Sequence, residues 1–150
     1  MIRFNNVING LNMINVTIDS DVTDNGASTD DGEFGIYFNS DINQDLNKTA
    51  VLDNVTIKNV DDDMVSSFGE VNNLTVRNST FSGNSETNTD NLGFVHWHWY
   101  RKENITYDNN TFKGLSVAVA FDIRGATGTA NINLTNNTIS DMVATTWFYT

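Results

Sequence analysis

The sequence predicts an all-β fold, a right-handed parallel β-helix solenoid with an asparagine ladder and roughly 5–7 coils. Three observations carry the prediction. One short segment recurs seven times, as IRFNN, NVTIDS, GIYFNS, NVTIKN, NLTVRN, NITYDN and NINLTN. Within it apolar residues alternate with a period of two, the signature of a half-buried strand. Asn or Ser then closes each copy at one fixed position.

The first apolar column comprises Ile2, Val16, Ile36, Val55, Leu74, Ile105 and Ile132, and the second Phe4, Ile18, Phe38, Ile57, Val76, Tyr107 and Leu134. Thr17, Thr56, Thr75 and Thr106 fall between them and suit an outward strand face. Two residues beyond the second column stand Asn6, Ser20, Ser40, Asn59, Asn78, Asn109 and Asn136. Asn tolerates the left-handed backbone of a sharp turn, and amides stacked at a strand spacing of about 4.8 Å can bond along the stack. The sequence therefore predicts an inward-facing ladder at that column.

Segment starts are separated by 14, 20, 19, 19, 31 and 27 residues, which predicts coils of about 20 residues with longer loops toward the end. The first 14 residues are too few for such a coil and read as an incomplete turn or a cap. A second strand follows in several coils, at 64–68, 93–100, 116–123 and 142–149, so each coil bends at least once. The acidic or small-residue stretches 19–33 and 82–91 lack apolar period and read as loops, and no helical spacing is present. The 150 residues are expected to form a single β-helix domain, whole or as a segment of a longer solenoid.

Lys and Arg total 8 against 19 acidic residues, giving a net charge of −11. Such a surface repels phosphate backbones and anionic headgroups, so nucleic acid and membrane surfaces are disfavoured as partners. The expectation is of no signal peptide and no membrane insertion, since the opening residues lack a basic flank with an apolar stretch and no 18-residue apolar run occurs. Cysteine is absent, which removes disulfides and thiolate metal sites together.

At NVTIKNVDDDMVSSF and NNLTVRNSTFSGN the chain resembles the parallel β-helix repeats of the pectin-lyase-like superfamily, and more loosely the Asn- and Thr-rich adhesin-like surface proteins. The resemblance spans nearly the whole chain and implies the fold. It leaves function open among polysaccharide lyases, glycoside hydrolases, tailspikes, adhesins and structural surface proteins. Asp61, Asp62 and Asp63 look like the paired-acid step of polygalacturonase-like hydrolases, but no Gly-His-Gly or Arg-Ile-Lys motif follows. A lyase-like base would fall to Arg101, Lys102 or Arg124, none of them in a matching motif.

Asp61 to Asp63 leave a strand at a turn, where clustered carboxylates chelate Ca²⁺ or act as an acid–base pair; the plainer alternative is a solvated acidic turn. No cofactor is expected beyond such a Ca²⁺ ion, and no metal site of other type. In the run from Phe94 to Tyr100, alternation sends Phe94, His96 and His98 to one face and Trp97 and Trp99 to the other. Outward tryptophans would form a platform for sugar rings, and outward histidines two metal ligands without an evident third; His96, Trp97, His98, Trp99 and Tyr100 are the candidate ligand-binding residues, and a purely structural role is the alternative. A regular stack would bring Phe68, Phe121, Asp122, Arg124, Trp147 and Tyr149 near the same strand; with the aspartates this face suits a saccharide groove, and Asp122 and Arg124 suit an ordinary i, i+2 ion pair equally well.

Asn-x-Ser/Thr triplets begin at Asn15, Asn47, Asn54, Asn73, Asn78, Asn104, Asn109, Asn133 and Asn136. With Asn78, Asn109 and Asn136 assigned inward, glycans are expected only at Asn15, Asn47, Asn54, Asn73 and Asn104. Neither terminus looks capped, so further repeats or other subunits of the same protein are the expected partners, with glycans as ligands. The favoured reading is a non-enzymatic extracellular or cell-surface adhesion or structural module. A pectin-lyase-like polysaccharide enzyme and a phage or viral receptor-binding fibre are the alternatives.

Overall fold

A computed structural model describes residues 2–5, 10–20, 35–39, 49–60, 63–68, 73–83, 92–97, 103–122 and 130–142. Fifteen strands lie in these residues: β1 (Ile2–Asn5), β2 (Leu11–Ile14), β3 (Thr17–Asp19), β4 (Ile36–Asn39), β5 (Thr49–Asp53), β6 (Thr56–Lys58), β7 (Val65–Phe68), β8 (Asn73–Arg77), β9 (Thr80–Ser82), β10 (Leu92–Trp97), β11 (Glu103–Asp108), β12 (Thr111–Lys113), β13 (Val117–Asp122), β14 (Ala130–Thr135) and β15 (Thr138–Ser140). Every third strand joins the same sheet. Sheet A runs β1-β4-β7-β10-β13, sheet B β2-β5-β8-β11-β14 and sheet C β3-β6-β9-β12-β15. All pairings are parallel. Three parallel sheets visited in rotation make a parallel β-helix of five coils.

The core is the inward half of each period-two pattern. In sheet B, Ala50 and Leu52, Leu74 and Val76, and Ile105 and Tyr107 are buried. In sheet C each three-residue strand has one central inward side chain, and Ile57, Phe81 and Phe112 are buried there. Sheet A contributes Ile36, Phe38, Val65 and Phe94. Identical positions in adjacent coils touch, Phe81 stacking on Phe112 with ring centroids 5.0 Å apart and Phe4 on Phe38 at 5.5 Å, and within one coil Tyr107 of sheet B meets Phe94 of sheet A edge-on at 5.4 Å. Each fully buried large side chain contributes about 1.5–3 kcal/mol by leaving water. Gly35 occurs where a Cβ would stand 2.5 Å from the Met64 carbonyl oxygen and 2.9 Å from Ile57 Cγ2, too close for any side chain.

The structure corrects the coil length and the alignment. IRFNN and GIYFNS are in sheet A, NVTIDS and NVTIKN in sheet C, and NLTVRN, NITYDN and NINLTN in sheet B. All three sheets share the apolar period, so segments from different sheets superimpose. True register steps in sheet B are 39, 24, 31 and 27 residues, seen in the hydrogen bonds from Gly10 to Thr49, Val55 to Ser79, Asn104 to Asn73 and Asn131 to Asn104. The opening residues likewise supply all three strands of a first coil, since the 14-residue step from Ile2 to Val16 crosses from sheet A toward sheet C within one coil. The second strands expected near 64–68, 93–100 and 116–123 are β7, β10 and β13. Stretch 142–149 lies outside the described residues but for Met142.

Candidate functional site

Two residues separate sheet B from sheet C in every coil, and this corner is built from Asn-x-Thr. Asn15, Asn54, Asn78, Asn109 and Asn136 all have φ between 53° and 58°. That left-handed conformation is open to Asn at little cost and turns the chain sharply. The next residue points inward, as Val55, Ser79 and Asn110 do, all buried. Thr then starts the sheet C strand. Its N–H donates to the inner residue's carbonyl one coil earlier, from Thr56 to Val16, Thr80 to Val55, Thr111 to Ser79 and Thr138 to Asn110, each at 2.8 Å.

The inner residue's own N–H needs a partner from a side chain, and here the buried asparagines act. Asn110 Oδ1 accepts from Ser79 N–H at 3.0 Å while its Nδ2 donates to the Val76 carbonyl at 2.9 Å. One coil on, Asn137 Oδ1 accepts from both Asn110 N–H and Nδ2 at 3.0 Å, and its Nδ2 donates to the Tyr107 carbonyl at 2.9 Å. Earlier, Ser79 Oγ accepts from Val55 N–H at 3.1 Å. The inward ladder is therefore Ser79, Asn110 and Asn137, one residue beyond the expected column.

Of the expected ladder residues, Asn78, Asn109 and Asn136 face outward, Ser20 and Asn59 are half-buried just beyond sheet C strands, and Asn6 and Ser40 lie outside the described residues. Asn78, Asn109 and Asn136 are exposed, in the same column as Asn15 and Asn54, because a left-handed residue at the corner carries its side chain away from the core. They still form a ladder, on the surface: Asn54 Nδ2 donates to Asn15 Oδ1 at 2.7 Å and Asn109 Nδ2 to Asn78 Oδ1 at 2.9 Å. A second surface ladder runs through Asn73, Asn104 and Asn131, with amide bonds of 3.0 and 2.9 Å. The distinction drawn among the glycosylation triplets thus fails between Asn15 or Asn54 and Asn78, Asn109 or Asn136, which are equivalent. Asn73 and Asn104 open β8 and β11, and Asn47 lies outside the described residues.

Beside the corner runs a charged column in sheet B. Asp53, Arg77 and Asp108 are register partners, with Arg77 Nε 2.9 Å from Asp53 Oδ2. Hydrogen bonds from Asn78 and Arg77 hold the Asp53 carboxyl below its ordinary value, and bonds from Thr135 and Asn136 do the same for Asp108. Lys58 pairs with Asp19 at 2.7 Å on the outside of sheet C. Sequence reasoning missed Arg77, Asp53 and Asp108, whose only signal is a shared position one residue after the last inward residue, Leu52, Val76 or Tyr107, of each sheet B strand.

The aromatic run enters sheet A. In the register, His96 stands beside Ser67 and Phe121, and Trp97 beside Phe68 and Asp122. Strand stacking therefore brings Phe68, Phe121 and Asp122 to positions 96 and 97. His98, Trp99, Tyr100, Arg101, Lys102, Arg124, Trp147 and Tyr149 lie outside the described residues, as do Asp61 and Asp62. Asp63 is described and is 5% exposed, so a solvated acidic turn does not hold at that residue; its carbonyl accepts from Gly35 N–H at 3.2 Å. Ser66, in the middle of β7, is fully buried, and its Oγ has no hydrogen-bond partner among the described residues. Among the described residues no group of three or more His, Asp or Glu side chains gathers as a metal centre. No helix in these residues is long and apolar enough to cross a membrane.

The fold defines the class: a parallel β-helix with stacked asparagines. No known protein family, curated protein or solved structure matches the chain.

Proposed function

We propose that this chain is a non-enzymatic structural or adhesion module of an extracellular or cell-surface assembly, a rod that presents connecting segments and an aromatic strand toward glycans. The single supporting observation is where the recurring residues are used. The five Asn-x-Thr corners engage neighbouring coils with backbone and amide bonds, so the repeated signature of the sequence serves stacking. Variation is confined to the other two corners. The chain takes two residues between sheets B and C in every coil, but the span from sheet C to the next sheet A runs from Asp19 to Ile36 in one coil and only from Lys113 to Val117 in another. Connections that vary on a constant frame suit display.

Glycan contact rests on the alignment of Phe68, Trp97 and Asp122 across three coils of sheet A. Aromatic faces stack on sugar rings, and a carboxylate accepts from their hydroxyls. The test is a glycan array probed with the protein and with Trp97→Ala and Trp99→Ala. Binding without turnover, lost in either variant, supports the reading. Depolymerisation of an acidic polysaccharide, abolished by chelator and by Asp62→Ala, would overturn it in favour of the enzyme, and dissociation-resistant trimers would favour a fibre. Surface proteolysis of intact source cells tests the location: a chain that remains protected is not displayed outside.

A further inference from the structure

Sheets B and C meet at a corner that is the same in every coil. Two residues join them each time, whereas the connections at the other two corners differ in length from coil to coil. The side of the rod built by these two sheets is therefore continuous along the axis. It is also close to neutral. Residues 10–20, 49–60, 73–83, 103–114 and 130–142, which build it, include five acidic and three basic residues, against 14 and 5 in the rest of the chain. Each of its three cations stands beside a carboxylate of a neighbouring coil, Lys58 by Asp19, Arg77 by Asp53 and Lys113 by Asp141.

Two rows of uncharged side chains follow this corner. One is the outward asparagine row, with Asn54, Asn78 and Asn109 at its centre. The other is Thr17, Thr56, Thr80, Thr111 and Thr138, register partners that open the sheet C strands next to an inward residue and so face outward. Both rows recur at the strand spacing of about 4.8 Å. Stacking uses only part of their hydrogen-bonding capacity. An amide carries two donor hydrogens and an oxygen with two lone pairs. Asn54 and Asn109 each spend one hydrogen on the asparagine of the earlier coil, at 2.7 and 2.9 Å, and Asn78 spends one on Asp53 at 2.9 Å, which leaves a second on each exposed amide. Among the described residues the five threonine hydroxyls have no hydrogen-bond partner.

A strip of this kind selects its occupant. It offers no unpaired cation to a phosphate or a uronate, and neither row contains the apolar centre that a protein partner would bury. Neighbouring sugar hydroxyls, each a donor and an acceptor, match an amide hydrogen and its carbonyl. We propose that the corner between sheets B and C binds an extended, neutral polysaccharide laid parallel to the rod axis, its hydroxyls exchanging hydrogen bonds with the asparagine and threonine rows. The same weak contact recurs once per coil, so affinity grows with the length of the glycan. This surface is separate from the aromatic strand of sheet A, and either can fail alone.

Affinity electrophoresis through gels containing mixed-linkage β-glucan, galactomannan or polygalacturonate tests the proposal. Retardation is expected in at least one of the two neutral polymers and not in polygalacturonate. It should weaken about threefold in Thr80→Val and about tenfold in a protein carrying Thr56→Val, Thr80→Val and Thr111→Val. Valine keeps the shape and strand preference of threonine, so the urea midpoint should stay at the parental value. Asn109→Gly, which permits the φ of 56° and removes only the amide, should weaken retardation by a different route. Long oligosaccharides of the retarding polymer should compete better than short ones. No retardation in either neutral polymer, or equal retardation of the parent and the triple variant, overturns the proposal. Retardation abolished by Trp97→Ala and untouched in the triple variant assigns glycan contact to sheet A alone, and overturns it too.

Discussion

Neighbouring asparagines in one corner carry opposite duties. Asn109 has φ 56° and an exposed amide, whereas Asn110 is buried and satisfies the Ser79 N–H and the Val76 carbonyl. Asn109→Val forces a β-branched residue into the left-handed region, so it is expected to cost about 1–2 kcal/mol more than Asn109→Gly. Asn110→Ala is expected to cost about 1–3 kcal/mol for the buried donor it leaves unpaired, a penalty that Gly at 109 does not incur. Urea denaturation of the three variants checks the order. The carboxyls beside the corner set an acid limit. Asp53 and Asp108 titrate below their ordinary value of 3.8 in the folded chain, so their contribution is complete above that value and is lost as pH falls through the lowered folded values. Asp53→Asn keeps an acceptor for Asn78 and Arg77 but removes the titration. Its urea midpoint should therefore fall less than the parent's between neutral pH and a pH well below 3.8. An equal fall in both would remove Asp53 from the acid response.

At the scale of elements, what the sequence discloses depends on how many inward residues a strand has. Sheet B strands such as β8 and β11 hold two apolar residues in alternation, Leu74 and Val76 or Ile105 and Tyr107, and are legible directly. β9 and β12 hold one each, Phe81 and Phe112, and a single residue has no period. They were hidden behind the Asn-x-Thr triplets, whose resemblance to glycosylation sites obscured their use as a corner. The inner ladder was displaced by one residue for the same reason: only φ tells which of Asn109 and Asn110 points inward. The candidate site was less legible still. His96 and Trp97 could be assigned to a strand, but their neighbours Ser67, Phe68, Phe121 and Asp122 come from coils 25 to 29 residues away, a spacing the uneven connections conceal. Two substitutions test the packing of the short strands. Phe112→Ala removes the partner of both Phe81 and Tyr107 and is expected to cost about 3–5 kcal/mol. Gly35→Ala drives a methyl against the Met64 carbonyl and should separate β4 from β7, seen as faster amide exchange at Ile36, whose N–H donates to that carbonyl at 2.9 Å. Unchanged exchange at Ile36 would show that the coils adjust there.

For the molecule as a whole, stability is a sum of coil terms and the interfaces between them. Among the described residues the interior coils have two neighbours and the fifth has one, with Leu134 and Ile139 more than half exposed. Native-state hydrogen exchange should therefore be slowest in β8 and β9 and fastest in β14 and β15 of the isolated chain. Uniform protection along the rod would mean that the stack unfolds as a single unit.

The two-residue corner also makes the coil a unit that can be cut and rejoined. Because Asn78 and Asn109 hold the same place 31 residues apart, excising residues 79–109 joins Asn78 to Asn110 and Thr111 and recreates an Asn-x-Thr corner at the splice. The shortened chain keeps β7 and β8 and continues into β12, a whole coil of mixed origin. A gene encoding this rod could thus lengthen or shorten it by recombination between corner codons, with the reading frame and the core both preserved.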